Sequence, residues 1–408
     1  MIYPEISLDF TSAALDPRIT FARSGGTATV VNSSGVIVGV AADIPRFDFD
    51  PITLACRGLL VEAAATNSQI RSSEFEIVSW LKAGATVSAN AETAPDGTLS
   101  ADKIVEDTST GIHRILTNTG IVTVSATAYT LSVYAKGAGR NLRLTNNNLS
   151  GADFDLTNGT VSGTGTIEPA YLLGSGWYRC SITRTPGTTD RIVAYLMSGT
   201  SVSYTGDGSS GIFLWGAQHE LGVVATSYIP TVGAAVTRNA DIATITGTNF
   251  SDWWQAGKGS ALVRARPLTV SGTRPLIQFD DTTADNIIAL RGNTTNPELY
   301  VRVGGSDQVQ IDAGTIAANT RYLLAGSWGE NNCAASVNSR TPVLGGVATI
   351  PVVTQARLGS DGTNYLNGHL EAVEYYDERV LNASLQVLSS QAGRRSIIGP
   401  VFRDSIIL

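Results

Sequence analysis

The chain has 408 residues, is 43% hydrophobic and only 15% charged, and carries a formal net charge of −7. That length exceeds one ordinary sandwich core and sets the expectation of two domains with extensions. The acidic balance and the lack of any basic run exclude nucleic acid as an expected partner, since phosphate binding relies on clustered Lys and Arg.

Abundant Gly, Ser, Thr, Asn and Val in short stretches read as an all-β chain with many tight turns. No apolar run approaches the ~20 residues that span a bilayer, so membrane insertion is not expected. The opening MIYPEISLDF has no positive n-region and no apolar stretch, and is not read as an export signal. Cys56, Cys180 and Cys333 fall in three separate segments. An odd count without CxxC spacing argues against a disulfide framework or a zinc site.

Residues 1–70 hold short strands cut by Gly and Pro. Stretches 27–31 and 36–38 flank Asn32-Ser33-Ser34-Gly35, which predicts a hairpin. A further strand is expected at 58–62. The segment has little core of its own and is expected to pack on the next domain or on a neighbouring chain.

Residues 71–232 read as a first sandwich. In 128–136, Tyr129, Leu131, Val133 and Ala135 share one face, with Ser132, Tyr134 and Lys136 on the other. Leu142 and Leu144 point opposite to Arg143. Tyr178, Cys180 and Ile182 oppose Trp177 and Arg179. Ile192, Ala194 and Leu196 oppose Val193 and Tyr195. Residues 240–392 read as a second sandwich, with strands at 260–267, 276–279, 287–291, 298–303, 321–327 and 334–337, and a short helix at 382–391. The tail 393–408 is apolar and is expected to dock on a neighbouring subunit or to fray. No repeat of 20–50 residues and no heptad run is present, so neither a solenoid nor a coiled-coil stalk is expected.

No HExxH, GxSxG or P-loop occurs, and no catalytic acid pattern stands in a predicted strand, so catalysis is not expected. Paired carboxylates are too common among 35 acidic residues to be excluded by counting. Saccharide binding uses aromatic faces flanked by planar polar groups. The polar face of the first sandwich carries such a set: Tyr134, Lys136, Arg143, Trp177, Arg179 and Tyr195. Its cations suit an acidic polysaccharide. The competing reading is that the N-terminal segment covers this face. Trp253-Trp254 is expected to plug the entry to the second sandwich; Trp328, Tyr365 and His369 are weaker binding candidates. No cofactor is expected, although Asp280, Asp281 and Asp361 offer oxygen ligands for calcium at a sandwich edge.

Three stretches carry resemblances. FLWGAQHELGVVATSYIPTVGAAVTRNAD, 213–241, resembles the segment that ends a jelly-roll, carbohydrate-binding-like module in phage structural proteins. Its last strand is expected at 212–215, with a polar reversal after it and a short linker at 227–231. The stretch 7–67, which opens SLDFTSAALDPRITFARSGG, looks like the N-terminal segment of phage spike and fibre proteins. RLGSDGTNYLNGHLEAVEYYDERVLNASLQVL, 357–388, looks like the final strands of a laminin-G or concanavalin-like lectin sandwich. Together they imply a jelly-roll sandwich and then a laminin-G/concanavalin-like one, with 1–70 as a particle-attachment segment whose removal leaves folded sandwiches. The implied function is a non-enzymatic virion appendage, a head spike or tail fibre, made in the host cytoplasm. It would bind host cell-surface polysaccharide and other virion structural proteins as a homo-oligomer. A structural decoration protein and a polysaccharide depolymerase are the alternatives.

Overall fold

The computed structural model describes residues 3–146, 151–170, 174–346 and 349–390. It is an all-β molecule built on two antiparallel sandwiches. The tail 393–408, expected to dock or fray, lies outside the described residues, as does the end of the 382–391 helix, which is described as Asn382–Leu388.

In the first sandwich, one six-stranded sheet runs Gly165–Pro169, Trp177–Arg184, Tyr129–Ala138, Gly211–Leu221, Leu99–Glu106, Ala85–Thr93. The facing six-stranded sheet runs Thr160–Gly163, Gly151–Asp155, Asn141–Thr145, Val193–Met197, Arg114–Thr117, Trp80–Ala83. Period-two alternation places the inward set as expected. Leu131, Val133, Ala135, Cys180 and Ile182 meet Leu142, Leu144, Ala194 and Leu196 in one core. The strand expected at 212–215 is longer, reaching Leu221, because Gln218, His219 and Glu220 are fully buried with partners of their own. Glu220 accepts from Thr226 N at 2.9 Å, Thr226 Oγ1 at 2.6 Å and Gln218 Nε2 at 2.6 Å.

The second sandwich has an eight-stranded and a seven-stranded sheet. Four strands from residues 6–61 are part of it. Ile6–Asp9 and Cys56–Val61 both pair with Gly368–Tyr376, Phe47–Phe49 extends the same sheet, and Thr20–Ala22 edges the other. Ile6, Leu8, Phe10, Leu59 and Val61 sit in the same core as Leu324, Leu358 and Val373. The segment is therefore not a piece that can be removed to leave intact sandwiches: its missing core is supplied by residues such as Ala243, Leu370 and Tyr375, far along the chain. Trp253 and Trp254 do not merely plug the entry. They pack with Phe250, Phe279, Trp328 and Tyr375 in the main core.

The predicted hairpin forms as Ala28–Val31 with Ile37–Val40. It lies over the outward face of the sheet containing Tyr129–Ala138, with Ile37 packed against Tyr134, Trp177, Trp215 and Tyr228. We call this the roofed sheet, and its partner the open sheet.

The motif expected to be a linker joins the three parts. Tyr228 is buried against Trp215 and Tyr134, and its hydroxyl lies 2.6 Å from Ser72 Oγ. Gly216 (φ +63°) makes this packing possible, since a Cβ there would lie 2.9 Å from the Tyr134 ring. Next to it is a fully buried charge cluster of Arg23, Arg46, Glu62, Arg238 and Asp241. Arg46 Nη1 meets Glu62 at 2.8 Å and Arg46 Nη2 donates to Asp241. Arg23 Nη1 meets Asp241 at 3.1 Å, and Arg238 Nη2 stands 3.4 Å from Glu62. Glu62 also accepts from Ser227 N at 2.8 Å and Ser227 Oγ at 2.7 Å. Burial would raise the Glu62 carboxyl, but the Arg238 and Arg46 guanidiniums outweigh it and hold Glu62 well below the usual carboxylate range.

Candidate functional site

The six residues read from the sequence as one groove occupy two opposite faces of the first sandwich. Tyr134, Lys136, Trp177 and Arg179 are on the roofed sheet, where Tyr134 pairs with Arg179 and Lys136 with Trp177. Arg143 and Tyr195 are paired neighbours on the open sheet. Alternation put all six outward correctly, but it says nothing about which sheet each strand joins.

The roof removes the two aromatic platforms. Trp177 is 2% exposed, and its indole N–H donates to Thr93 O at 2.9 Å. Tyr134 is 5% exposed and packs edge-on to Trp215. Neither ring face can stack on a polysaccharide. The reading that the N-terminal segment covers this face is the one the structure bears out. Lys136 is half-buried and pairs with Glu92 at 3.2 Å.

The open sheet carries a different arrangement. Arg114, Tyr195, Arg143, Asp153 and Ser162 stand directly opposite one another on five successive strands. Strand spacing places them about 4.8 Å apart in one row across the sheet. Arg143 grips Asp153 with two bonds, Nε–Oδ1 at 2.5 Å and Nη2–Oδ2 at 2.8 Å. That bond raises the Arg143 pKa above its ordinary value. Arg114 donates from Nη1 to the Tyr195 hydroxyl at 2.8 Å, with its guanidinium carbon 5.5 Å from the ring centroid. Tyr195 is thereby buried and serves as a support for Arg114, not as a stacking surface. Among the described residues Arg114 forms no ion pair, although its side chain is partly exposed. The sequence reading missed Arg114; its alternation with Ile115 along RILT was the available signal.

A second polar surface covers the outward face of the seven-stranded sheet. Asp280 accepts from Gln278 Nε2 at 2.9 Å, Gln355 Nε2 at 2.5 Å and Arg357 Nε at 2.8 Å. Glu298 accepts from Arg291 Nε at 2.6 Å and Gln310 Nε2 at 2.8 Å. The Arg291 guanidinium lies 3.6 Å above the Tyr300 ring. The three carboxylates considered for calcium are occupied by donors: Asp280 by these side chains, Asp281 by Thr283 N and Asn286, Asp361 by Thr363 N and Asn364. They build turns and an ion pair rather than a shared cation site. Among the described residues no group of three or more His, Cys, Asp or Glu could hold a metal ion.

At the junction of roof, first sandwich and second sandwich is a pocket of about 110 Å³. Tyr134, Arg179, Tyr228, Glu168 and Arg57 line it, together with His369, whose Nε2 donates to Asp48 Oδ2 at 2.9 Å. His369 is thus a buried tie between the N-terminal segment and the second sandwich. Trp328 is fully buried in the core and forms no binding surface, while Tyr365 packs against that core and stays half-exposed.

No family model matches this chain, and no curated protein matches it. Among solved structures it is similar to the Ruminococcus gnavus IT-sialidase CBM40 bound to alpha2,3 sialyllactose, at 12% identity and a TM-score of 0.30 over 33% of this chain and 84% of that one. It is similar to the NanB sialidase from Streptococcus pneumoniae at 11% identity and a TM-score of 0.31, over 35% of this chain and 26% of that one. Domain 4 of AbnA, a GH43 extracellular arabinanase from Geobacillus stearothermophilus in complex with arabinotriose, is similar at 12% identity and a TM-score of 0.28, over 37% and 73%.

Proposed function

We propose that the chain is a non-enzymatic adhesin on a phage or phage-derived particle, a head spike or tail fibre. In this reading it holds an acidic host cell-surface polysaccharide on the open sheet of the first sandwich. The observation that carries it is Arg114: a guanidinium on an outward sheet face, braced by Tyr195 and lacking a carboxylate partner among the described residues. A sugar carboxylate gains a charge-assisted hydrogen bond there, and planar guanidinium geometry favours a two-pronged grip. Beside it, the Arg143–Asp153 pair is neutral as a unit and offers remaining N–H groups and lone pairs to sugar hydroxyls. An open sheet buries little ligand area, so each site is weak. Assembly into a homo-oligomer would raise avidity by ~10²–10⁴.

The depolymerase alternative needs two carboxyl groups within roughly 5–9.5 Å of each other. On the seven-stranded sheet, Asp280 and Glu298 are two strands apart and offset by four residues through Ile287 and Arg291. Strand geometry puts their backbones on the order of 15 Å apart. Each carboxylate is also held by an arginine. Both facts favour binding over cleavage.

The test is binding of purified full-length protein to immobilised acidic and neutral polysaccharides, beside Arg114→Gln. Binding to acidic chains should fall about tenfold in the variant, about 1.4 kcal/mol, and should weaken with added salt. Unchanged binding by the folded variant would overturn the site. Release of new reducing ends would overturn the non-enzymatic reading.

A further inference from the structure

The junction pocket has no part in that reading, and its chemistry is specific. Its acidic walls are already engaged. Asp48 accepts from His369 and from Val31 N at 3.0 Å, Glu168 accepts from Asn319 Nδ2 at 3.0 Å, and Glu62 belongs to the buried charge cluster. Arg57 is held by Asp50 at 3.0 Å. Two groups have capacity left. Arg179 donates from Nη2 to Ser132 Oγ at 3.1 Å and lies 5.3 Å over the Tyr134 ring, and among the described residues it forms no ion pair. The Tyr134 side chain lines the pocket, and among the described residues its hydroxyl makes no hydrogen bond, which leaves it open to a partner in the pocket.

The geometry points to a second binding site: the junction pocket takes one carboxylate-bearing sugar residue, with its carboxylate on Arg179 and a hydroxyl or ring oxygen on the Tyr134 phenol. A volume of about 110 Å³ is several times the roughly 30 Å³ share of one liquid water and below the roughly 300–1,000 Å³ of drug-sized pockets. It suits a monosaccharide or a chain terminus, and not a polymer segment. Glu168 and Pro169, both exposed, stand at its rim. Because the pocket walls come from the roof, the first sandwich and the second sandwich, the ligand stabilises the joined form over the separated one. This site is independent of the open-sheet proposal.

The experiment uses full-length protein titrated with glucuronate, glucose and acetate by calorimetry, with thermal melts in parallel. Tyr134→Phe removes only the unpartnered hydroxyl and should melt like the parent without ligand. Glucuronate is expected to bind and to raise the melting temperature, with glucose and acetate at least about tenfold weaker. Tyr134→Phe and Arg179→Gln should each weaken glucuronate several-fold or more. Polysaccharide adhesion should survive Tyr134→Phe. The proposal fails if glucuronate does not bind up to about 10 mM or if acetate binds as tightly as glucuronate. It also fails if either pocket variant binds as the parent does, or if Arg114→Gln alone abolishes the binding.

Discussion

Replacing Asp241 by Asn is the sharpest test of how this molecule holds together. The carboxylate is fully buried and accepts from Arg23, Arg46 and the backbone N–H of Glu62. The cluster has three guanidiniums and two carboxylates, so it already carries one uncompensated positive charge. Asn keeps the shape, removes one negative charge, and leaves Arg23 without an ion-pair partner. Breaking a buried pair in this way costs about 3–5 kcal/mol. For a unit of 150–250 residues that is a fall in Tm of roughly 6–20 °C. Arg238→Met is the control. Arg238 donates to Asn239 O at 3.3 Å, while its Nε and Nη2 have no hydrogen bond, and its removal takes away the excess charge. Glu62 then keeps Arg46 as its ion-pair partner, so this variant should cost less than Asp241→Asn. Calorimetric melts of the three proteins decide the matter. If Asp241→Asn melts within a degree of the parent, or if Arg238→Met is the worse variant, the cluster is not what joins the parts. The same cluster sets an acid limit. Glu62 has its folded pKa depressed, so its contribution is complete above the unfolded value of about 4.3 and is lost as pH falls below it toward the folded value.

The same packing sets other outcomes. Trp177→Ala should destabilise by about 3–5 kcal/mol through the cavity it leaves under the roof, and polysaccharide adhesion measured on the folded fraction should be unchanged. Gly216→Ala should cost about 1–3 kcal/mol, read by denaturant titration, because its φ of +63° and the nearby Tyr134 ring both oppose a methyl group. Asp102, pushed up to about 6 by burial, should act opposite to Glu62. Its stabilising effect is complete below about pH 4 and is lost as pH rises through about 6, on the order of 3 kcal/mol, a slope that Asp102→Asn should flatten in pH-dependent melts. Deleting residues 1–67 should yield aggregated protein by light scattering, since it strips strands from both sheets of the second sandwich.

Some of this was legible in the chain itself. The all-β character, the two sandwiches and the inward set around Leu131, Val133, Cys180 and Ile182 come from alternation, because successive side chains on a strand must take opposite faces. The hairpin at Asn32-Ser33-Ser34-Gly35 comes from turn chemistry local to four residues. Tertiary structure alone decided the rest. Strand 193–197 and strand 177–184 have the same alternation, yet pair into different sheets, which split the supposed groove. Tyr134 and Trp177 point outward as read, and a hairpin some hundred residues upstream covers them. Arg46 and Asp241 look like ordinary surface charges in their own neighbourhoods; they meet across 195 positions and become buried together. Periodicity reports which side of its own strand a residue takes. What lies against that side depends on the packing energy of the whole chain, and no local pattern encodes it.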